Sequence, residues 1–148
     1  MSYKDFKLDD SVGYLTGQVS MWLSRRLARN FKAAGYDVTV EQWRVLVRLW
    51  DSDGQNQQAL ACATGKDKPS ITRLIDNLEK NNLLVRVPDA NDRRVNLVYL
   101  TNKAKELQKE LIEIAEKTLQ EALDQIQPDE VALCKDVLNK MINNLKVE

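Results

Sequence analysis

The sequence predicts a mainly α-helical protein with one small two-stranded β hairpin. Apolar residues recur at three- and four-residue spacings in several long segments of the 148-residue chain, which is the pattern of amphipathic helices. Asparagine, aspartate, serine or threonine stands where most of these segments begin, as expected of helix N-caps. Two short strand-forming runs, residues 83–87 and 95–100, flank a polar turn at residues 88–94. No internal repeat or low-complexity segment is present.

Length and composition are those of one domain, or of one domain with an attached oligomerisation module. Hydrophobic residues make up 43% of the sequence and charged residues 30%, which suits a helix-rich protein with a substantial core. The N-terminal residues lack the apolar segment of a signal peptide, and no apolar run reaches the ~18 residues of a membrane span. Cys62 and Cys134 lie far apart within helical patterns, which predicts free, buried thiols. We therefore expect a cytoplasmic protein without a membrane segment.

The first two helices are bounded by recognisable signals. The first is predicted over residues 11–34, and Gly35 is placed to end it. Thr39 and Gln42 form a capping-box pattern, in which each side chain can satisfy a free amide of the other residue, and they begin the second helix. A loop is predicted at residues 51–54. The residues predicted to face the core from the second helix are Trp43, Leu46, Val47 and Trp50.

A helix–turn–helix is predicted to begin at Asn56. This residue can cap a short helix that runs to Ala63, and Gly65 supplies a turn residue that tolerates a positive φ. Lys66 departs from the pattern, because an apolar residue usually follows the glycine in such turns. Asp67 can cap the second helix of the motif. The residues predicted to bury one face of that helix are Ile71, Leu74, Ile75 and Leu78.

Two apolar helices follow the hairpin. Thr101 can cap the first of them, and Pro128 stands at the start of the second. Together with the first helix of the chain, they are too long and too apolar to be buried by one small domain. A second copy of the chain is the simplest partner, so a homodimer is predicted. The residues predicted to form the dimer interface are Leu107, Leu111, Ile114, Leu138, Met141, Ile142 and Leu145.

The second helix of the helix–turn–helix carries small polar and basic side chains at its N-terminal end. Unpaired backbone amides and the positive end of the helix dipole attract phosphate there, and Ser, Thr and Arg side chains can reach base edges. The preceding helix crosses the phosphates in this motif, so its start is a natural anchor. The alternative is that these are ordinary solvated residues. The residues predicted to contact DNA from the two helices are Asn56, Gln57, Lys68, Pro69, Ser70, Thr72, Arg73 and Asn77.

The tip of the hairpin gives a sharper indication of nucleic-acid binding. Hairpin turns favour Asn, Asp or Gly, but no turn requires the consecutive arginines Arg93 and Arg94. Guanidinium groups are favoured in a narrow minor groove because its negative potential is deep and because they are weakly hydrated. Residues 66–100 carry seven basic and five acidic side chains, whereas residues 101–148 carry seven and ten, so the local charge favours phosphate. The alternative is a solvated charged tip.

The segment from Gln57 to Thr101 resembles the recognition helix and wing of the MarR (multiple-antibiotic-resistance regulator) family of winged-helix transcription factors. The pattern that carries the resemblance is LAxxxGxDKPSITRxIDxLExxxLxxR, followed by DxxDRR and by a Leu-Thr pair that opens a long helix. By the family's Asp-x-Arg wing motif, Arg94 would enter the minor groove. Asp92 would hold the shape of the wing through an ion pair or through turn hydrogen bonds.

The resemblance also implies an architecture and a mode of action. The chain would be a single MarR-like domain over residues 1–148, with a winged helix–turn–helix DNA-binding lobe at residues 37–100. Residues 1–36 and 101–148 would supply the dimerisation helices. The homodimer would repress transcription by binding a pseudo-palindromic operator, with its two recognition helices in successive major grooves ~34 Å apart.

Members of the resembling family commonly bind small aromatic or lipophilic anions between the dimerisation helices and the DNA-binding lobe. Aromatic walls with one or two cations would suit an aryl carboxylate. The alternative is that the tryptophans belong to the core and that the arginines are solvated. The residues predicted to line an effector pocket are Met21, Trp22, Arg25, Arg26, Trp43, Leu46 and Val47.

Other functional classes find little support in the sequence. The chain contains no histidine, so it lacks Ser/His and Cys/His pairs, and it has no glycine-rich phosphate loop. Without histidine and with two distant cysteines it also lacks the usual zinc-binding cluster. We therefore expect no catalysis, cofactor or metal. Two alternatives stay open, namely a winged helix used for protein contacts and a redox-sensing regulator that uses Cys62 or Cys134.

Overall fold

The computed structural model describes residues 2–146, which form seven α-helices and three short β-strands, preceded by two 3-10 turns. No helix among these residues has both the length and the apolar character required to cross a membrane. The elements in chain order are α1 (Val12–Ala33), α2 (Val40–Asp51), β1 (Gln55–Asn56), α3 (Gln57–Thr64), α4 (Lys68–Lys80), β2 (Leu84–Pro88), β3 (Asn96–Leu100), α5 (Asn102–Glu106), α6 (Gln108–Ala122) and α7 (Pro128–Leu145).

The predicted capping residues begin the helices that they were expected to begin. Thr39 and Gln42 form the reciprocal capping box of α2, each accepting a backbone N–H of the other at 3.1 Å. Asn56 caps α3, and Asp67 caps α4. Gly65 has a φ of +66°, the left-handed conformation that ends α3 and that the turn was expected to require. The helix–turn–helix prediction is therefore confirmed.

The sheet has three strands and not the predicted two. β3 lies in the middle and pairs antiparallel with both β1 and β2. In β1, Gln55 pairs with Val98, and Asn56 pairs with Leu97. A two-residue strand is too short to show alternating polarity, so the sequence predicts only a loop at residues 51–54 and a helix capped by Asn56. The mainly helical fold with a small β wing is confirmed, with one additional strand.

The helix predicted to follow Thr101 is interrupted at Leu107. This residue has helical torsion angles and accepts a backbone hydrogen bond of 3.1 Å from Leu111, but the regular helical pattern breaks there and separates α5 from α6. Leu107 also packs against the core of the lobe, as Ile114 does. Leu111 is fully buried in that core. Its prediction as a dimer contact is therefore wrong, because no part of its side chain is left for a second copy.

The core lies where α2, α3, α4 and the sheet meet α5 and α6. On α2 the buried face is offset from the predicted one. Among the four residues predicted to face the core, only Leu46 is fully buried, and the other three are half-buried at the rim. Trp43 and Trp50 form edge contacts with ring centroids 5.7 Å apart, and Trp43 lies 5.6 Å from the Phe31 ring of α1. The buried residues of α2 are Gln42, Val45, Leu46 and Leu49.

A long apolar surface remains uncovered on α1, α6 and α7. No residue of α7 is buried, although the helix carries an apolar stripe as predicted. α1 and α6 pack together through a hydrogen bond of 2.8 Å from Asn30 to Thr118 and an ion pair of 2.9 Å between Arg26 and Glu121. The exposed apolar residues of the three helices and their connection are Val12, Leu15, Val19, Trp22, Leu119, Leu123, Ile126, Leu133, Val137, Leu138, Ile142 and Leu145.

Both cysteines are exposed, which corrects the prediction of buried thiols. Cys62 lies on the outer side of α3, where Gln58 Nε2 approaches its sulfur at 3.9 Å. Cys134 lies on α7. The helical periodicity predicts an apolar face for both cysteines. On α3, however, the residues buried in the core are Leu60 and Ala61, and on α7 no residue is buried.

Candidate nucleic-acid interface

The N-terminal end of α4 is exposed and positively charged. Asp67 caps the helix, its Oδ1 accepting the Ser70 backbone N–H at 2.8 Å. Hydrogen bonds from Ser70 hold the pKa of the Asp67 carboxyl below its ordinary value, and the charges of Arg73 and Lys66 lower the pKa further. Lys68, Pro69, Arg73 and Asn77 are exposed on this helix. The end therefore presents two cations, Lys68 and Arg73, to solvent at the positive end of the helix dipole, which favours an anion.

Gln57 and Thr72 join the two helices of the motif to one another. Gln57 Nε2 donates to Thr72 Oγ1 at 2.8 Å, and the Thr72 hydroxyl donates to the Lys68 carbonyl at 2.9 Å. Both side chains are half-buried. The Thr72 donor is thus already used within the protein, which does not fit the predicted reading of a base edge by this hydroxyl. The geometry assigns both residues a positioning role between α3 and α4.

Residues from α3, α4 and the wing surround one groove. Its volume is about 240 Å³, and it lies between the start of α3, the start of α4 and the base of the wing tip. Asn56 caps α3 by accepting the Ala59 N–H at 2.6 Å, and β1 fixes the same residue against β3. The structure therefore brings three separately predicted elements to one face. The residues that line the groove are Asn56, Gln57, Gln58, Lys68, Ile71, Arg94, Val95 and Asn96.

The wing tip orients Arg94 through Asp92. Arg94 Nε and Nη2 donate to the two carboxylate oxygens of Asp92 at 3.0 and 3.1 Å, and the Arg94 backbone N–H donates to Oδ1 at 3.1 Å. These bonds lower the pKa of the Asp92 carboxyl and raise the pKa of Arg94. The Arg94 side chain is 90% exposed. Arg93 is exposed too, and no ion pair holds it among residues 2–146. The two arginines are therefore available to a ligand outside the protein.

Arg86 joins the wing to the recognition helix, a role that the sequence analysis missed. Its Nε donates to Glu79 Oε1 at 2.8 Å, its backbone N–H donates to Glu79 Oε2 at 3.3 Å, and its Nη2 pairs with Asp76. Both acids lie on α4, whereas Arg86 lies on β2. The signal was present in the pattern IDxLExxxLxxR, whose charged positions are these three residues. Helical spacing places Asp76 and Glu79 on one face, but the sequence does not reveal that β2 returns across that face.

The residues predicted to form an effector pocket do not meet in one cavity. Trp22, Arg25 and Arg26 line a crevice of about 490 Å³ between α1 and α6. Trp43 and Val47 line a separate crevice of about 610 Å³ between α2 and α3. The other two predicted residues, Met21 and Leu46, line neither, and Leu46 is fully buried. Within the protomer α1 and α2 turn these side chains toward different neighbours, and a single effector pocket stays a prediction.

The crevice between α1 and α6 combines an aromatic wall with cations. The Arg25 guanidinium lies 5.0 Å from the centre of the Trp22 ring. Arg26 pairs with Glu121 at 2.9 Å, and this bond holds the pKa of the Glu121 carboxyl below its ordinary value. Arg29, which the sequence analysis did not single out, also lines the crevice. Its helical spacing from Trp22 and Arg25, at seven and four residues, places it on the same face of α1.

The fold and the exposed basic face define a winged helix–turn–helix protein. The sequence model of the MarR family matches residues 38–95 of the chain. The transcriptional regulator PA3341 is 32% identical, and the match covers 93% of this chain and all of that one, with a TM-score of 0.81. The chain belongs to the MarR family.

Two further solved structures share the fold at lower identity. CouR from Rhodococcus jostii RHA1, bound to p-coumaroyl-CoA, is 24% identical, with a TM-score of 0.80 over 96% of this chain and 99% of that chain. PcaV from Streptomyces coelicolor, in complex with its natural ligand, is 21% identical, with a TM-score of 0.79 over 99% of this chain and all of that chain. At these identities the likeness concerns the fold.

Proposed function

We propose that this MarR-family protein is a sequence-specific DNA-binding repressor that acts as a homodimer on a pseudo-palindromic operator. The observation that carries the proposal is the common face formed by the start of α3, the start of α4 and the wing. Lys68 and Arg94 line the same groove on this face. Arg73 is exposed on α4, and Arg93 is exposed on the wing. A face with basic groups at both ends fits a duplex whose major groove takes α4 and whose minor groove takes the wing.

The contacts divide by the chemistry of each residue. Lys68 and Asn56 suit phosphate oxygens, which fix register but carry little sequence information. Arg73 and Ser70 suit base edges in the major groove, since an arginine can donate two hydrogen bonds to guanine. Arg94 suits the minor groove. Repression follows from occupying a promoter and blocking access of the polymerase.

The uncovered apolar surface supports a homodimer. Exposed apolar side chains follow α1, α6 and α7, and α7 has no buried residue within the protomer. Leu138, Ile142 and Leu145 on α7 would contact the second copy, together with Met141, which is half-buried. An isologous interface would place two α4 helices on one side of the dimer, as a pseudo-palindromic operator requires.

A mobility-shift titration tests the proposed function on duplex DNA from the promoter of the protein's own gene. We expect a discrete shift that survives competitor DNA. Raising the salt concentration from about 50 to 200 mM should weaken the binding by about 10³-fold or more, because several phosphates are neutralised. Sedimentation should show a dimer for the free protein and two chains per duplex for the complex. A protein that is monomeric at micromolar concentration would refute the dimer. The DNA could also be retained only diffusely and be displaced by competitor. If selection from random sequences then yields no binding site, a protein-binding role is favoured.

The crevice between α1 and α6 supports control by an aromatic anion. CouR is bound to p-coumaroyl-CoA, and the crevice offers the Trp22 ring with Arg25 and Arg29 beside it. The proposed dimer would cover its open side, because the exposed residues Leu15 and Val19 line the same crevice. A ligand held there would lie against the dimerisation helices and would change the separation of the two DNA-binding lobes.

Titration with p-coumarate tests the crevice. We expect quenching of tryptophan fluorescence in the wild type and no quenching in Trp22→Phe, whose Trp43 and Trp50 lie at the rim of the core. Arg29→Gln should raise the dissociation constant about tenfold, because a charge-assisted hydrogen bond is lost. If the quenching persists in Trp22→Phe, p-coumarate binds elsewhere, and the proposed crevice is wrong.

A further inference from the structure

Four polar side chains connect α1 to the turn of the helix–turn–helix. Lys66, which occupies a turn position where an apolar residue is usual, forms an ion pair with Glu41 in the first turn of α2. Glu41 Oε1 also accepts a hydrogen bond from Arg44 Nη1 at 2.9 Å, and Arg44 Nη2 donates to Ser24 Oγ on α1 at 3.1 Å. We call Ser24, Arg44, Glu41 and Lys66 the interhelix tether.

We infer that Glu41 and Lys66 are positioning residues that fix the orientation of the recognition helix α4 relative to α1, and thereby set the separation of the two recognition helices in the dimer. The inference rests on the proposed function, since it concerns how that dimer meets its operator. It explains why a lysine stands after the turn glycine. At this position an apolar side chain could pack locally but could not reach a carboxylate on α2.

The tether reaches α4 at the residue before its N-cap. Lys66 directly precedes Asp67, and its backbone N–H donates to the Ala61 carbonyl at 2.9 Å. The turn is therefore held on one side by the end of α3 and on the other side by Glu41. The side chains of Lys66 and Glu41 are 30% and 41% exposed, so solvent and salt screen this pair in part.

The tether also affects which of the two lysines, Lys66 or Lys68, is free to contact DNA. Its ammonium group is occupied by Glu41, whereas the neighbouring Lys68 is exposed and lines the groove beside Arg94. Of the two lysines, the exposed Lys68 is the better placed for a phosphate, and Lys66 contributes through the orientation of α4. At the other end of the tether, Ser24 lies seven residues before Phe31, whose ring contacts Trp43. α1 and α2 are thus joined at two points along one face of α1, which resists rotation of one helix against the other.

Operator spacing provides a readout specific to positioning. Two recognition helices that are held rigidly should bind half-sites at one separation and should discriminate against an operator with one inserted base pair. We expect Glu41→Gln and Lys66→Met each to weaken binding to the cognate operator by about 2- to 5-fold, the range of a single partly exposed ion pair. Each variant should weaken binding to the operator with one inserted base pair by a smaller factor, so that the ratio of the two affinities falls. The double variant should be no worse than Glu41→Gln alone, because that change already removes the charge that pairs with both Lys66 and Arg44.

Controls separate positioning from phosphate contact and from unfolding. Lys109→Met removes an exposed lysine on α6 that has no ion pair among residues 2–146, and it should leave the spacing preference unchanged. Thermal melting checks that each variant is folded. Unchanged discrimination in both tether variants would overturn the inference. The inference would also be overturned if Lys66→Met alone lowered, by about one, the slope of the logarithm of the binding constant against the logarithm of the salt concentration. That result indicates a direct phosphate contact. If the wild type itself fails to bind any duplex, the proposed function is wrong and the fault does not lie in the tether.

Discussion

Arg94→Ala is expected to weaken operator binding by about 1–3 kcal/mol, which is roughly 5- to 150-fold, without loss of the fold or the dimer. The Arg94 side chain is 90% exposed, and its carboxylate partner is Asp92, two residues away within the same turn. Its removal therefore leaves no buried group unpaired. A guanidinium in a narrow minor groove gains from the deep negative potential there, and alanine cannot replace that gain. Mobility-shift titration at two salt concentrations measures the loss.

Matched variants identify what Arg94 contributes. Asp92→Asn keeps an acceptor for the Arg94 backbone N–H but removes the charge that pairs with the guanidinium, so a smaller loss of affinity is expected. Lys105→Ala removes one positive charge from an exposed site on α5 and should change the affinity little. If a folded, dimeric Arg94→Ala protein binds its operator as tightly as the wild type does, the proposed role of the wing is wrong.

Leu46→Ala is expected to lower the free energy of unfolding by about 2–5 kcal/mol. The sequence predicts this residue both for the core face of α2 and for an effector pocket, and its side chain has no exposed surface and lies in the core of the lobe. The loss combines the transfer free energy of the deleted methyl groups with the cavity that they leave. Chemical denaturation at fixed protein concentration measures it. The concentration must be fixed because dimerisation adds to the apparent stability.

Val47→Ala is the control for Leu46→Ala. Val47 is the next residue of α2, but it is half-buried and lines the crevice between α2 and α3. Its truncation should cost less than about 1.5 kcal/mol, because it deletes fewer buried carbon atoms and solvent can fill the space. Equal losses from the two variants would show that the burial assigned to this face of α2 is wrong.

Local signals account for the parts of the fold that the sequence predicted. Each capping side chain accepts a backbone N–H from a residue three positions away, so the helix starts depend on neighbouring residues alone. The capping residues are Thr39, Gln42, Asn56 and Asp67. The paired arginines of the wing and the polar start of α4 were also visible as local composition. The common groove that they surround supports the proposal that they act together.

The errors concern contacts between residues that lie far apart in the chain. Arg86 reaches Asp76 and Glu79 only because β2 returns across α4, and a helical pattern does not specify that return. The faces of α2 were misassigned because two tryptophans at the rim are apolar enough to resemble core residues. The strand β1 has two residues and carries no periodicity of its own. Leu111 was read as part of a dimer stripe because a stripe does not reveal which of its residues the protomer itself covers.

The attachment of the wing at both of its edges limits how the protein can respond to a signal. β1 holds one edge of the central strand β3 next to the cap of α3, and Arg86 holds β2 against α4. The recognition helix α4 and the wing are thus joined directly through Arg86, and the wing is joined to α3 through β1. We therefore expect a stimulus to abolish operator recognition by tilting or separating whole lobes, and not by retracting the wing while the helix stays engaged. In native-state hydrogen exchange, the amides of β3 and α4 should therefore open together as one cooperative unit, with or without an effector.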